Sequence, residues 1–216
     1  YYVPSEIKPL ADVTPDFTAG LTNTFRYKGL ELSVLIDMQR GGSMYYTSYM
    51  WGMYSGILKE SAKNNENGVN IREAISDGGG VLLKGVYGSY NTVTKAITYL
   101  DGAGNTSASA VKNDTRIEGQ EWAEAHYDGP DRQNIFSTDF IKLREVRLGY
   151  SIPSKFTGPI KGLKVSAYGR NLAIFGAATD HFDPEYLQMA GSNAQGIEGG
   201  YLPSTMTFGF GVNFNF

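Results

Sequence analysis

Apolar and polar residues alternate with a period of two in five segments of the chain. In the first, Phe17, Ala19 and Leu21 alternate with Thr18 and Thr22. Such alternation predicts strands with two different faces. The predicted strands cover residues 17–27, 30–40, 138–152, 163–174 and 204–216.

The third predicted strand changes phase along its length. Ile141 and Leu143 occupy the opposite phase to Val146 and Leu148. This predicts either a β-bulge or a stretch that lies beyond the two-sided part of the sheet.

The connections between these strands alternate between short and long. Short turns fall at Lys28 and Gly29 and in "PSKFTGPIKG", whereas residues 41–137 and 175–203 form long connections. Loops of that length count against a soluble domain, but outer-membrane barrels pair short periplasmic turns with long external loops. With the chain end on the periplasmic side, both long connections are external. The pattern therefore predicts an all-β fold, an antiparallel transmembrane β-barrel segment with two long extracellular loops.

Two stretches of the first long connection, "SYMWGMYSGILKESAK" and "EGQEWAEAHYD", predict short helices. The same connection is rich in aromatic residues, whose flat rings can stack on sugars or hold peptide side chains. The alternative is that they pack the loop onto its neighbours. The candidate ligand-binding residues are Tyr49, Trp51, Tyr54, Trp122 and Tyr127.

Composition agrees with sheet structure and excludes several functions. The 27 Gly, 15 Tyr and 11 Phe favour strands and turns. A net charge of -3 with scattered Lys and Arg argues against nucleic acid as a partner. The absence of Cys excludes disulfides, and no apolar run approaches the roughly 18 residues of a membrane helix. The chain opens on "YYVPSEIKPL" rather than Met, so we expect a mature product or, preferably, a fragment of a longer protein.

The charged residues on the polar side of the strands are candidates for contact with a solute or with other parts of a barrel lumen. Pairing with neighbours on the wall is the favoured role of these lumen-facing residues. They are Arg26, Asp37, Arg147 and Arg170.

Catalytic motifs are poor. His126 and His181 lie far apart in sequence, and each is interpreted as a loop residue. We therefore expect no metal, no cofactor and no enzymatic activity. Two rival hypotheses remain open: a soluble, secreted carbohydrate-binding β-sandwich, and an enzyme in a barrel scaffold such as an outer-membrane protease or lipase.

Four segments resemble, in order, the C-terminal barrel segments of the SusC/RagA family of TonB-linked outer-membrane proteins from Bacteroidota. They are "DFTAGLTNTFRYKGLELSVLIDMQRGG", "FIKLREVRLGYSIP", "VSAYGRNLAIF" and "LPSTMTFGFGVNFNF". The resemblance implies a 22-stranded barrel with an N-terminal plug. It also implies import of glycans, or in some members peptides, driven by the TonB complex under a SusD-like lipoprotein lid. Residues 1–216 would supply about five C-terminal strands of that barrel, set in outer-membrane lipid.

The chain end also resembles the signal that the outer-membrane assembly machinery reads. A polar residue is followed by Gly two positions later and by hydrophobic residues three and five positions after that Gly. The matching residues are Thr207, Gly209, Val212 and Phe214, and the chain continues to Phe216.

Overall fold

The computed structural model describes residues 7–185, 195–200, 202 and 204–215, mostly as β-sheet with few helices. These residues divide into two compact units, one built on Tyr45–Ile135 with residues 7–10, the other on Ala11–Met44 with the described residues from Phe136 onward. Among the described residues, no helix is long and apolar enough to cross a membrane. The strands and α-helices are β1 (Pro15–Tyr27), β2 (Leu30–Gly41), β3 (Ser43–Tyr46), α1 (Thr47–Tyr54), β4 (Val81–Leu82), β5 (Gly88–Tyr90), β6 (Ile97–Tyr99), β7 (Arg116–Ile117), α2 (Gly119–Asp128), β8 (Ile135–Ser137), β9 (Phe140–Ser151), β10 (Lys161–Phe175), β11 (Ile197–Glu198) and β12 (Thr207–Asn215).

The second unit is organised around one five-stranded antiparallel sheet, here called the main sheet, with the order β1-β2-β9-β10-β12. Lys28 and Gly29 join β1 to β2, and both have positive φ, 43° and 86°. Two consecutive left-handed residues form the tight turn whose twist matches a β-hairpin. Glycine adopts this conformation without cost, which explains the sequence "KG" at this turn.

The main sheet has one apolar and one polar face. Across the five strands, the register aligns Leu21 with Ile36, Leu32 with Leu148, and Val165 with Val212. This apolar face is exposed: Leu21 is 61%, Leu148 51% and Phe210 88% accessible. A β-sandwich would cover such a face with a second sheet. No such cover is present in the described residues, so the sandwich hypothesis is not supported.

The phase change in β9 is a β-bulge at Arg144. Pairing with β2 moves from Leu35 opposite Glu145 directly to Ile36 opposite Leu143, so Arg144 has no partner of its own. The extra residue restores Leu143 and Ile141 to the apolar face. Of the two alternatives that the sequence left open, the structure has the bulge.

The residues of the long connection 41–137 do not form an extended loop, because Tyr45–Ile135 is a compact unit, here called the inserted unit. Helix α1 packs against α2, and Met53 and Ile71 are almost fully buried. Two small antiparallel pairs, β4 with β7 and β5 with β6, complete it. The predicted first helix ends early, at Tyr54, and the second is present as α2.

The last strand begins at Thr207, three residues later than the prediction of 204–216. Phe216, which that prediction included, lies outside the described residues.

Candidate functional site

Three of the candidate aromatic residues form an exposed group on the inserted unit, here called the aromatic patch: Trp51 and Tyr54 on α1 and Tyr127 on α2. The ring centroids are 5.0 Å apart for Trp51 and Tyr127, 5.5 Å for Tyr54 and Tyr127, and 5.7 Å for Trp51 and Tyr54. The three side chains are 42–50% exposed. Mutual packing fixes the rings while leaving about half of each open to a ligand, as in aromatic binding surfaces.

A polar cleft of about 610 Å³ adjoins Tyr54. Arg72 organises its floor: Nε donates to the carbonyl oxygen of Ser61 at 2.8 Å, and the guanidinium also bonds the Ser61 hydroxyl and the Gly56 carbonyl. On the α2 side, the Gln120 amide donates to Glu124 at 2.8 Å. The cleft places fixed hydrogen-bonding groups beside an aromatic surface, the combination that orients a small ligand.

The other two candidates, Tyr49 and Trp122, pack around His126. Their ring centroids lie 5.8 Å and 5.2 Å from the imidazole, and Tyr49 is 9% exposed. Burial, with a smaller contribution from Glu60, raises the pKa of Tyr49 to about 12. Tyr49 and Trp122 therefore pack the inserted unit around His126. This is the alternative to ligand binding that the sequence left open for the aromatic residues.

The interpretation of His126 as a loop residue was wrong. It lies in α2, is 5% exposed, and its Nδ1 is 3.3 Å from the carbonyl oxygen of Trp122. Burial lowers its pKa below the ordinary value. A buried, ring-packed histidine of this kind is a core residue.

Three of the four charged candidates pair with neighbours on the main sheet. Arg26 Nε bonds Glu31 at 2.8 Å, Arg170 Nε bonds Glu145 at 2.6 Å, and Asp37 accepts from Arg144 Nε at 2.7 Å. Lys164 also reaches Glu31, at 2.9 Å. The polar face is therefore lined with ion pairs that join its strands, and the pair of Lys164 with Glu31 reaches across β9.

Arg147 differs from these three. It lies between Ser33 on β2 and Tyr168 on β10 in the register of the sheet. Its Nε is buried and has no hydrogen-bond partner among the described residues.

Two buried charges of the main sheet's unit, Lys142 and Asp183, belong to a chain of charges of alternating sign. Lys142 contacts both Asp183 and Glu185, and Arg144 contacts both Glu185 and Asp37. Burial alone would raise the pKa of Asp183, but hydrogen bonds, first from Lys142 and then from the Glu185 amide and Ser204, hold it below its ordinary value.

Sequence reasoning identified only Asp37 of this chain of charges. Lys142 and Arg144 fall in the stretch whose phase the bulge obscures, and their acidic partners are 41 or more residues away in sequence. One usable signal was present: Lys142 alternates with Ile141 and Leu143, which are apolar, and so belongs to the polar face.

The described residues of the predicted assembly signal, Thr207, Gly209, Val212 and Phe214, lie on β12, which pairs with β10 at one edge of the main sheet. Thr207 and Gly209 belong to the polar face, opposite Arg170 and Tyr168, and Val212 to the apolar face. A Cβ at Gly209 would meet the ring of Tyr168 at 2.5 Å, so this glycine also makes room for its neighbour.

Comparison with known proteins gave no matching family model. The chain is 25% identical over 219 aligned residues to "TonB-dependent receptor P3" of Formosa agariphila. The alignment covers 97% of this chain and 17% of the relative, so the chain spans about a sixth of that protein's length.

Two solved structures have a similar fold, both of the RagAB peptide importer. The open-open state gives a TM-score of 0.51 at 16% identity and the closed-closed state 0.51 at 17%. They cover 94% and 93% of this chain, and in each case 17% of the chain compared.

The two-faced sheet agrees with these similarities: over nearly its whole length the chain is similar to a portion of a TonB-dependent receptor, and its fold is similar to part of the RagAB peptide importer. The resemblance to the SusC/RagA family that the four sequence segments carry is in keeping with both similarities.

Proposed function

We propose that this chain forms the C-terminal wall of the barrel of a TonB-dependent outer-membrane transporter. The observation that carries the proposal is the main sheet, with its exposed apolar face and ion-paired polar face. An exposed apolar face of five strands is stable in lipid and aggregates in water. Strands outside this chain would pair with the outer edges of β1 and β12 and complete a 22-stranded barrel.

In this proposal the apolar face contacts lipid and the polar face, with Arg26, Asp37, Arg147 and Arg170, lines the lumen. The ends of the main sheet remote from the Lys28–Gly29 turn are extracellular, and so are the inserted unit and the connection 175–203. These parts would meet a SusD-like lipoprotein lid. Energy from the TonB complex would enter through a region outside this chain, and the chain itself has no catalytic role.

The transported solute is a glycan or a peptide, and the aromatic patch contributes to its capture. Exposed, mutually braced rings suit both a sugar face and an apolar peptide side chain, and the adjoining cleft supplies hydrogen bonds. The similarity to the RagAB peptide importer keeps peptides beside glycans as the substrate class.

Binding to the full-length protein tests the capture role. Tyr127→Ala removes a ring that contacts both Trp51 and Tyr54. We expect about a tenfold or greater loss of affinity for the bound oligosaccharide or peptide, as for a hot-spot residue. Tyr99→Ala is the matched control, because Tyr99 is an exposed tyrosine of the same unit on β6. Equal affinities of the two variants, measured by calorimetry across an oligosaccharide and peptide panel, would refute this role.

Uptake in cells tests the transporter itself. Accumulation of the labelled solute should require the full-length protein, a functional TonB complex and the lipoprotein partner. Uptake that persists when TonB is deleted would contradict the proposal.

We also propose that Thr207, Gly209, Val212 and Phe214, with Phe216 beyond the described residues, act as the assembly signal. Phe214→Ala should lower the amount of protein inserted in the outer membrane, whereas Asn213→Ala, on the other face of β12, should not. Quantitative blotting of outer-membrane fractions distinguishes the two variants, and equal insertion would remove this role.

A further inference from the structure

Residues 176–185, here called the strap, follow β10 and are tied to the polar face of the main sheet. Lys142 projects from β9 and contacts the carboxylates of Asp183 and Glu185. Arg144, at the bulge, contacts Glu185 and also Asp37 on β2. The order Asp183, Lys142, Glu185, Arg144, Asp37 therefore alternates in sign from the strap to the second strand of the sheet.

This chain of charges is buried where it meets the strap. Lys142 is 3% and Asp183 7% exposed. Charges removed from water are tolerated when they are paired, and loss of one partner leaves the other buried without compensation. Lys142 holds two carboxylates at once, so its removal would leave Asp183 without its cation and Glu185 with Arg144 alone, and would favour movement of the strap into water.

The network lies at one end of the main sheet. Asp37 pairs with Gly20 on β1 and Lys142 on β9, and both positions are far along their strands from the Lys28–Gly29 turn. The strap also lines a recess of about 440 Å³ together with Ile174 and Ser204. The network thus fixes a segment that covers part of the polar face and shapes a cavity there.

We propose that the strap is a fixed constriction on the lumen side of the wall, and that Lys142 is its positioning residue. This inference rests on the proposed function in one respect, because the end of the sheet that carries the strap is the external mouth of the lumen only if the chain is barrel wall. The strap then narrows the passage behind the extracellular surface, and its release widens that passage.

Thiol labelling of the full-length protein in outer-membrane vesicles tests the proposal. Ala177→Cys supplies the reporter, because Ala177 is half-buried in the strap and residues 1–216 contain no cysteine; any cysteine elsewhere is removed. Adding Lys142→Met should raise the rate of reaction with a membrane-impermeant maleimide about tenfold or more, since a buried charge network is broken. Lys142→Arg, which keeps the charge, should restore the slow rate.

Arg170→Met is the matched control, because it breaks an ion pair between two strands of the wall that does not touch the strap. It should leave the labelling rate within about twofold of the parent, as expected for an exposed pair. Heat-dependent electrophoretic migration verifies that each variant has assembled. If Lys142→Met does not assemble, Asp183→Asn removes one strap contact with a smaller loss of stability. This variant should also accelerate labelling.

Equal labelling rates in the parent, Lys142→Met and Asp183→Asn would overturn the proposal, as would failure of Lys142→Arg to restore the slow rate. These outcomes differ from a failure of the proposed function, in which the unmodified protein would not be recovered from the outer membrane or would not support uptake.

Discussion

The main sheet and the inserted unit use apolar residues in opposite ways. In the inserted unit, Met53 and Ile71 are buried within the unit, whereas the main sheet exposes Leu148 and Phe210. The opposite face of the main sheet is polar and carries ion pairs that join its strands. A unit that buries its own core is stabilised in water, and a sheet with an exposed apolar face needs another apolar phase. The difference agrees with the proposal that the inserted unit lies in water and the main sheet in lipid.

The largest expected effect is loss of the core of the inserted unit. Ile71→Ala removes a side chain that is 1% exposed and should destabilise this unit by about 2–5 kcal/mol, because it leaves a cavity. Ile57→Ala, at a position 79% exposed in the same unit, should have little effect. Hydrogen exchange should report faster exchange in α1 and α2 for Ile71→Ala alone. Equally faster exchange in the main sheet would contradict the view that each unit has its own source of stability.

A charge on an exposed apolar residue should have opposite consequences in the two units. Leu148→Arg introduces a cation on the apolar face of the main sheet, and near the middle of a bilayer this costs about 2–4 kcal/mol. Val93→Arg, in an exposed turn of the inserted unit, should be close to neutral because the side chain stays in water. Folding titrations of the full-length protein into lipid vesicles measure both. A neutral Leu148→Arg would indicate that this face does not contact lipid.

Acid should weaken the inserted unit through His126. Burial depresses the pKa of His126 in the folded state below its unfolded value near 6.5. The unfolded chain therefore binds more protons below that pH, so the stabilisation is complete above about pH 6.5 and is lost as the pH falls through the folded pKa. The protection factors of the α2 amides against hydrogen exchange should be lower at pH 5 than at pH 7. His126→Gln should reduce this difference in protection. An undiminished difference in the variant would assign the pH dependence to other groups.

The smallest effect is expected for exposed ion pairs of the polar face. The Arg26 side chain is 75% exposed, so Arg26→Met should leave the stability of the full-length protein unchanged within measurement error. Lys142→Met removes the buried counterpart and should be clearly destabilising. An unfolding titration of each full-length variant compares their stabilities. Equal losses of stability in the two variants would mean that burial does not determine how much an ion pair contributes.

Local alternation was sufficient to predict the strands of the main sheet. Successive residues of a strand point to opposite faces of the sheet, so odd and even positions have different surroundings. Val146 and Leu148 on β9 follow this alternation. The phase change at Ile141 was also informative, because it marked the bulge. The predicted final strand began at residue 204, whereas β12 begins at Thr207, because "LPST" has no alternation that would define the start of the strand.

The compact nature of the inserted unit could not be predicted in the same way. Its strands are two to three residues long within the unit, too short for a periodic signal, and α1 has apolar residues on all sides. The sequence predicted that the aromatic residues of this unit could bind a ligand. Only the structure shows that Trp51 and Tyr127 are exposed whereas Tyr49 and Trp122 pack around His126. The contact of Lys142 with Asp183 joins residues 41 positions apart, and no local pattern specifies it.

The central claim is that the apolar face of the main sheet contacts lipid. A nitroxide scan of positions 208–213 on β12 in the full-length protein, reconstituted in bilayers, tests it most directly. Collision rates with oxygen should be high at Phe208, Phe210 and Val212, and collision rates with a water-soluble nickel chelate should be higher at Gly209, Gly211 and Asn213. Chelate access at Phe208, Phe210 and Val212 equal to that at the alternate positions would contradict the assignment of this sheet to a membrane wall.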